Sequence, residues 1–345
     1  MTAKRALHSL VPNGKSLGVK TFAVLVAAVA SALLPLYGSD YAVSIGLLIF
    51  SYISLGQMWN LLAGYSGLVS LGQQAFIGIG AYTLAKVTTV YGQSIALSFF
   101  VTAVCAAAFA FVISFPIFKL SGVYFTIGTW IVSESALVFF RNWKFVNFDA
   151  GYNIVAAYKI PMGALYLGSF VIGVVSVALV FLILRSKIGL ALMAMRDNPG
   201  AAEARGVYLY RTKLVCFLIS SVYIAVTGVV LYLNIAYVKP GATFGIDWAV
   251  SMVFIVVIGG IGTIEGPILG AVIYVILRQY LYNFPGISMI LLGAVAVTVI
   301  LLAPKGIMGA LHGRFGFELF SVRRTAAFDG PDREEGARIS VKQRR

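Results

Sequence analysis

Apolar runs of roughly twenty residues recur along almost the whole chain, and no soluble fold can absorb them. A hydrocarbon core of about 30 Å is crossed by about 20 helical residues. Runs of that kind cover Thr21–Tyr37, Tyr41–Ala63, Val69–Tyr91, Ile95–Phe118 and Val123–Phe140. After a gap come Leu165–Leu184, Leu214–Tyr237, Phe244–Ile264, Ile268–Tyr282 and Ile287–Ala303. The expectation is an all-α polytopic membrane protein of about ten transmembrane helices, about nine to eleven depending on how the glycine-broken runs divide. Composition agrees. Of 345 residues, 60% are hydrophobic and 11% charged, with a mean hydropathy of +0.94. Soluble domains average about 45–50% and about 25%, and surface-to-volume scaling gives a water-soluble chain no way to hide so much apolar surface. That excludes most soluble enzymes and nucleic-acid-binding proteins. Lys4, Arg5, Lys15 and Lys20 ahead of the first run look like the start of a signal peptide. Their leader is long and a second span follows almost at once, so an uncleaved first span is expected.

The 26 basic and 12 acidic residues leave a net charge of +14. In a soluble protein this would suggest nucleic acid; in a membrane protein it follows from the retention of Lys and Arg on the cytoplasmic side. Placement decides between them. Four basic residues precede the first span, and six (Arg185, Lys187, Arg196, Arg205, Arg211 and Lys213) lie between Leu184 and Leu214. Nine follow Ala303, and Lys119 sits in a short turn. With ten spans, all twenty fall on one side, opposite Lys86, Arg141, Lys144, Lys159, Lys239 and Arg278. Both termini are therefore expected in the cytoplasm, with lipid rather than nucleic acid as the partner. Phe244–Ile264 must cross, although its strongly apolar part is short; otherwise the basic tail would land opposite the basic loop. The expected organisation is a cytoplasmic basic N-terminus (1–20), a transmembrane domain (21–309) and a charged, disordered cytoplasmic tail (310–345). Within the domain lie a cytoplasmic loop (185–213) and an outside loop (142–161).

Catalytic chemistry has little to work with. Cys105 and Cys216 lie inside apolar runs as small core residues, and His8 and His312 lie outside them, so no metal, cofactor or catalytic site is expected. Gly64-Tyr65-Ser66-Gly67 is similar to an intramembrane serine-protease motif, but no histidine lies in a span to activate Ser66. Glu134 is the one carboxylate well inside an apolar run. At membrane depth it needs a partner or a wet cavity: a hydrogen bond to another helix or contact with a transported substrate.

Two glycine clusters interrupt the helical pattern. One reads Gly64-Tyr65-Ser66-Gly67-Leu68-Val69-Ser70-Leu71-Gly72-Gln73-Gln74, continuing to Gly78 and Gly80. The other reads Gly259-Gly260-Ile261-Gly262-Thr263-Ile264-Glu265-Gly266-Pro267, continuing to Gly270. Gly78, Gly80 and Gly270 suit close helix packing. The breaks themselves are either tight turns at a membrane surface or, because free backbone at membrane depth must be buried or line a cavity, part of a transport pathway. The loop between Leu184 and Leu214 carries a helical pattern over Ile188–Met195. After it, Asp197-Asn198-Pro199 is a cap-and-start signal, Ala201–Arg205 forms a short helix and Gly206 a stop. Taken alone it is either an ordinary surface helix or a docking element.

The run Trp59-Asn60-Leu61-Leu62-Ala63-Gly64 through Tyr82, the stretch Arg196-Asp197-Asn198-Pro199 with Ala201, Ala202 and Gly206, and Gly259 to Pro267 with Ala303-Pro304-Lys305-Gly306 together resemble the membrane subunit of branched-chain amino acid ABC importers, the LivM type. The resemblance runs from about Tyr41 to Gly309 in family order. It implies an import permease of the bacterial inner membrane that is no enzyme itself. Its partners would be a second permease subunit, two ATP-binding subunits and a periplasmic substrate-binding protein. It further implies that Arg196, Asp197, Asn198, Pro199, Ala201, Ala202 and Gly206 form a coupling helix that docks on an ATPase. The pathway or helix-break residues would be Asn60, Gly64, Tyr65, Gly67, Ser70, Gly72, Gln73, Gln74, Glu134, Gly259, Gly260, Gly262 and Glu265. Gln73 stands where the family often has histidine, so no acid–base role is given to it. The chain has no nucleotide-binding loop of its own, since Ser9 precedes Gly14-Lys15-Ser16 where the first glycine of that motif belongs. A urea or amide permease on the same plan and an ion-coupled secondary transporter are the alternatives. The second would need ion-coupling carboxylates at membrane depth, where Glu134 stands alone.

Overall fold

The computed structural model describes residues 30–281, 284–303 and 306–315. The basic N-terminus, most of the first expected span and the tail beyond Phe315 lie outside them.

The fold is built on α1 (Asp40–Asn60), whose first turn is capped by Ser39 Oγ accepting from Ala42 N at 3.3 Å and carries Asp40 at the positive end of the helix dipole. From Ser51 onward every residue of α1 is buried. One π-helical turn, Leu61–Tyr65, ends it. α2 (Gln74–Ala85) follows, then α3 (Ile95–Ile117) and α4 (Val123–Asn142). A segment of 3-10 turns holds the strand β1 (Tyr152–Asn153) and leads into α5 (Met162–Arg185). Next come α6 (Lys187–Asp197), α7 (Pro199–Ala204) and α8 (Leu209–Ile235). β2 (Tyr237–Val238) pairs antiparallel with β1, Tyr152 opposite Val238. The chain continues through a one-turn helix at Pro240–Thr243 to α9 (Asp247–Gly259), α10 (Glu265–Leu281), α11 (Pro285–Leu302) and α12 (Gly306–Phe315).

α1 packs against α5, α8, α9 and α10, while α8 also carries α2 and α3. Without a hydrophobic drive between helices in lipid, close approach and polar links do this work. Gly78 lies under the ring of Phe244, Gly80 under Ala225 O and Gly270 under Ile255 O, as the small-residue pattern predicts. Ser54 Oγ and Thr227 Oγ1 share a hydrogen bond of 2.7 Å between α1 and α8. Tyr223 Oη donates to Ile172 O at 2.7 Å, tying α8 to α5.

The structure refines the expected organisation in three places. Among the described residues six segments are long and apolar enough to cross a membrane: Asp40–Tyr65, Ile95–Ile117, Val123–Asn142, Met162–Arg185, Leu209–Ile235 and Pro240–Gly259. Of the other expected spans, Ile268–Tyr282 is a helix of 17 residues (α10) and Ile287–Ala303 a helix of 18 (α11). Val69–Tyr91 departs most from expectation. Its helix starts only at Gln74, because backbone groups of Val69, Ser70 and Leu71 just before it bond to side chains of neighbouring helices. Third, residues 310–315, assigned to the tail by composition, continue α12, whose first residue packs on Gly260.

Candidate coupling and translocation site

The three stretches singled out in the sequence meet at one place. After the π turn and Ser66, whose N–H still bonds Leu62 O, residues 67–73 leave the helix, and several of their buried backbone groups find partners on neighbouring elements, as burial requires. Leu68 N donates to Leu62 O at 3.0 Å. Val69 O accepts from Thr126 Oγ1 at 2.8 Å, Ser70 O from Trp59 Nε1 at 2.8 Å, and Leu71 N donates to Thr129 Oγ1 at 3.1 Å. Gly72 lies against the backbone of α4, where an added Cβ would collide with Thr129 O; no other residue fits. The break is a non-helical strap lying along α4.

The second break, between α9 and α10, is held by α1. Asn60 Oδ1 accepts from Gly262 N at 2.9 Å, while Asn60 Nδ2 donates to Thr263 O at 2.8 Å. Gln57 Nε2 donates to Ile264 O at 2.6 Å. Thr263 Oγ1 closes the turn on itself, donating to Gly260 O at 2.8 Å and accepting from Gly266 N at 3.1 Å. Gly64 permits the stacking of one break on the other, since a Cβ there would stand 2.6 Å from Gly262 N. Gly259 packs directly on Gly266, and Glu265 opens α10 beside them.

The loop folds as its cap signals predict. Ser186 Oγ accepts from Ile188 N at 3.1 Å to start α6, and Leu192 and Met195 turn inward. Asn198, extended at φ −156° and ψ 101°, accepts on its Oδ1 from Ala201 N at 3.0 Å, and Pro199 takes the first helical position of α7. Gly206 ends the helix in the left-handed region at φ 86°, and Val207 N closes it on Ala202 O at 3.1 Å. Ala202 is buried, whereas Pro199, Gly200, Ala201, Glu203 and Ala204 are exposed. The observed helix begins at Pro199, two residues before the expected Ala201. From the end of α6, Arg196 reaches back into the first break: its Nη1 donates to Gly64 O at 2.9 Å, its stem lies over Gly67, and its Nε and Nη2 hold Asp197 Oδ1 at 3.0 Å each. One arginine thus ties the exposed helix pair to the point where the two breaks stack.

Other expected residues lie apart from this junction. Gln73 and Gln74 sit at the N-terminus of α2 at 0% exposure, and among the described residues neither side-chain amide has a hydrogen-bond partner. Glu134 is on the less buried face of α4, and its carboxylate accepts from Trp130 Nε1 at 3.3 Å on the same helix, not from another helix. Tyr65 is buried at the end of α1, and Ser70 Oγ accepts from Gly72 N at 3.3 Å. Thr126, Thr129, Gln57 and Thr263 were not singled out from the sequence, yet they hold the breaks; Thr126 and Thr129, three apart on one face of an apolar run, were the available signal. Among the described residues no group of three His, Cys, Asp or Glu side chains could hold a metal.

Comparison with known proteins gives the same direction. The family model "Branched-chain amino acid transport system / permease component" matches residues 41–302. The chain is 28% identical over 326 residues to the high-affinity branched-chain amino acid transport system permease protein LivM of Escherichia coli K12, covering 86% of this chain and 76% of the relative. It is 27% identical over 156 residues to the probable branched-chain amino acid transport permease protein LivH of Methanocaldococcus jannaschii, covering 43% and 49%. It is 28% identical over 257 residues to the inner membrane ABC transporter permease protein YjfF of E. coli K12, covering 68% and 72%. No solved structure matches.

Proposed function

Because the chain belongs to the branched-chain amino acid transport system / permease component family, we propose that it is the membrane-spanning permease subunit of an ATP-driven importer of branched-chain amino acids. It contributes half of the translocation pathway. A second permease subunit supplies the other half, two ATP-binding subunits supply ATP hydrolysis, and a periplasmic substrate-binding protein delivers the cargo. The membrane is the bacterial inner membrane, with both termini and the 185–213 loop in the cytoplasm and the 142–161 loop outside, an orientation supported by the charge asymmetry.

The observation that carries this reading is the bond from Arg196 to Gly64 O. It joins a capped, exposed helix pair to a place where two non-helical segments stack among buried helices. Such a link lets movement of a cytoplasmic partner bias which arrangement of the breaks is populated, as alternating access requires. In this reading α7 with Arg196, Asp197, Asn198, Pro199, Ala201, Ala202 and Gly206 is the coupling element. Asn60, Gly64, Gly67, Gly72, Gly259, Gly260, Gly262 and Glu265 form the moving junction. Gln73, Gln74 and Glu134 offer polar groups along the route: unpaired buried amides are costly to keep, and a membrane-depth carboxylate on an open face calls for a protein or aqueous neighbour.

The decisive experiment reconstitutes the permease pair with its ATPases and measures ATP hydrolysis and leucine uptake with the loaded binding protein. Pro199→Asp and Gly206→Trp are expected to leave insertion intact and abolish uptake. Normal transport in both variants would refute the coupling role. Uptake driven by an ion gradient with this chain alone would refute the ATP-driven reading.

A further inference from the structure

A cavity of about 610 Å³ opens between α3 and α4 with α2 as its floor. Its walls are aliphatic and aromatic, among them Val101 and Phe109 of α3 and Val132, Ala136 and Phe139 of α4. The α2 side runs from Ile79 on to Tyr91, about 18 Å at 1.5 Å per residue, close to the roughly 15 Å of one leaflet's hydrocarbon. The end away from the coupling loop is rimmed by Phe145 and by Tyr91 and Trp143, the last two of the residue types that settle at membrane interfaces. At that same rim stands Lys86, its Nζ 3.9 Å from the centre of the Phe145 ring and 5.1 Å from that of Tyr152. None of the hydrogen bonds or ion pairs among the described residues engages this ammonium.

A leucine-sized zwitterion is a poor occupant, because it needs an acceptor for its ammonium and no carboxylate lines the cavity. The chain's own outlying segments leave from elsewhere. Ser31 O accepts from Tyr166 Oη on α5 at 2.6 Å, and α12 starts against Gly260 at the coupling end. A groove as long as one leaflet, open between two helices, dry inside and cationic at the interface, matches a single lipid tail below an anionic headgroup.

We propose that this groove binds an anionic phospholipid of the leaflet opposite the coupling helices, one acyl chain lying on α2 and the phosphate at Lys86. The bound tail fills the space between α3 and α4, which meet each other only sparsely, and so fixes the position of α4. This site stands whether or not the transport reading holds, since it uses none of the coupling residues.

The test is native mass spectrometry of the purified permease complex, delipidated and then titrated with phosphatidylglycerol or phosphatidylcholine. Wild type is expected to retain one phosphatidylglycerol with about fivefold preference over phosphatidylcholine, the usual worth of one basic side chain near an anionic surface. Lys86→Gln is expected to remove the preference while retaining a lipid, and Ala136→Trp or the smaller change Val101→Phe to remove the lipid itself. Ile131→Trp, on α4 outside the groove, is expected to change neither. Equal retention of the two lipids by wild type, or retention undiminished in both groove-filling variants while the complex stays assembled, would overturn the proposal. So would a disulfide formed in the intact complex between Cys105, which lines the groove, and a cysteine placed in the second permease, since a protein helix would then occupy the space.

Discussion

Replacing Asn60 by leucine tests the junction directly. The two side chains are nearly the same size, so the core around α1 keeps its shape and only the polar links go. Two are lost together: the acceptor for Gly262 N at 2.9 Å and the donor to Thr263 O at 2.8 Å. Asn60 is 0% exposed, so the freed backbone N–H and C=O are left without water. Each such orphan costs about 1–3 kcal/mol, together roughly 2–6 kcal/mol. The greater apolarity of leucine returns about 1–2 kcal/mol of that. The net loss is roughly 0–5 kcal/mol, centred on about 2.5 kcal/mol, which for a chain of this size lowers the thermal midpoint by roughly 4–8 °C at the centre of that range. The measurement is thermal unfolding of the purified protein in detergent, followed by whichever probe reports tertiary structure, alongside uptake in proteoliposomes. Asn60→Asp is the informative companion, since it keeps an acceptor for Gly262 N but sets a second oxygen against Thr263 O. It is expected to be at least as unstable as the leucine variant. If Asn60→Leu melts within about 1 °C of wild type, the junction is not held by these bonds.

Arg196→Gln removes the charge-assisted bond to Gly64 O; at 39% side-chain exposure its worth is about 1–2 kcal/mol, so uptake is expected to fall about 5–30-fold with normal amounts of protein, and Arg196→Lys, which cannot reach Gly64 and Asp197 together, is expected in between. Wild-type uptake in the glutamine variant would remove Arg196 from the mechanism. Gly72→Ala drives a methyl into Thr129 O, a backbone atom that cannot yield; the strap must leave α4, and a loss of more than about 3 kcal/mol, read as failed assembly, is expected. Gly92→Ala, with φ of 63° and open space around it, is expected to cost only about 1 kcal/mol. Cys216 is buried with its thiol 3.7 Å from Leu61 O, whereas Cys105 is exposed. A membrane-permeant maleimide is therefore expected to label Cys105 alone until the protein unfolds, and labelling of both in the native state would contradict the packing of α8 on α1.

The sequence made the loop legible almost to the residue, because caps act locally: Asn198, Pro199 and Gly206 each do in the structure what their own chemistry dictates. The glycine breaks were legible as breaks for the same reason. Their meeting was not, since it depends on Asn60 reaching across 202 residues to Gly262, and nothing local to either stretch signals that. The start of the Val69–Tyr91 run departs from helix because apolarity alone does not fix backbone conformation. Val69 and Leu71 are apolar enough, but Thr126 and Thr129 offer their backbones better partners than a helix could begin with so many glycines around it. Glu134 was legible as an anomaly, and among the described residues its hydrogen bond is to Trp130 on its own helix, so packing against another element is not what places a carboxylate there.

The arrangement also bears on how motion could enter the membrane. A coupling helix joined to the rest only through the rigid ends of α5 and α8 would move both helices as rods, and the breaks would serve no purpose. Here α6 has a second attachment, through Arg196 to Gly64, and Gly64 is packed on Gly262, which Asn60 holds. Under the proposed coupling role, a shift of α6 by more than the tolerance of a hydrogen bond either breaks the arginine contact or drags the first break, and the second break has to follow or lose its links to Asn60. Either outcome changes the strap along α4, because Val69, Ser70 and Leu71 take their register from the side chains of Thr126, Trp59 and Thr129. Two discrete sets of side-chain bonds on one non-helical strap would make a two-state element of the kind alternating access needs. A continuous helix in its place would resist by holding its i to i−4 ladder intact.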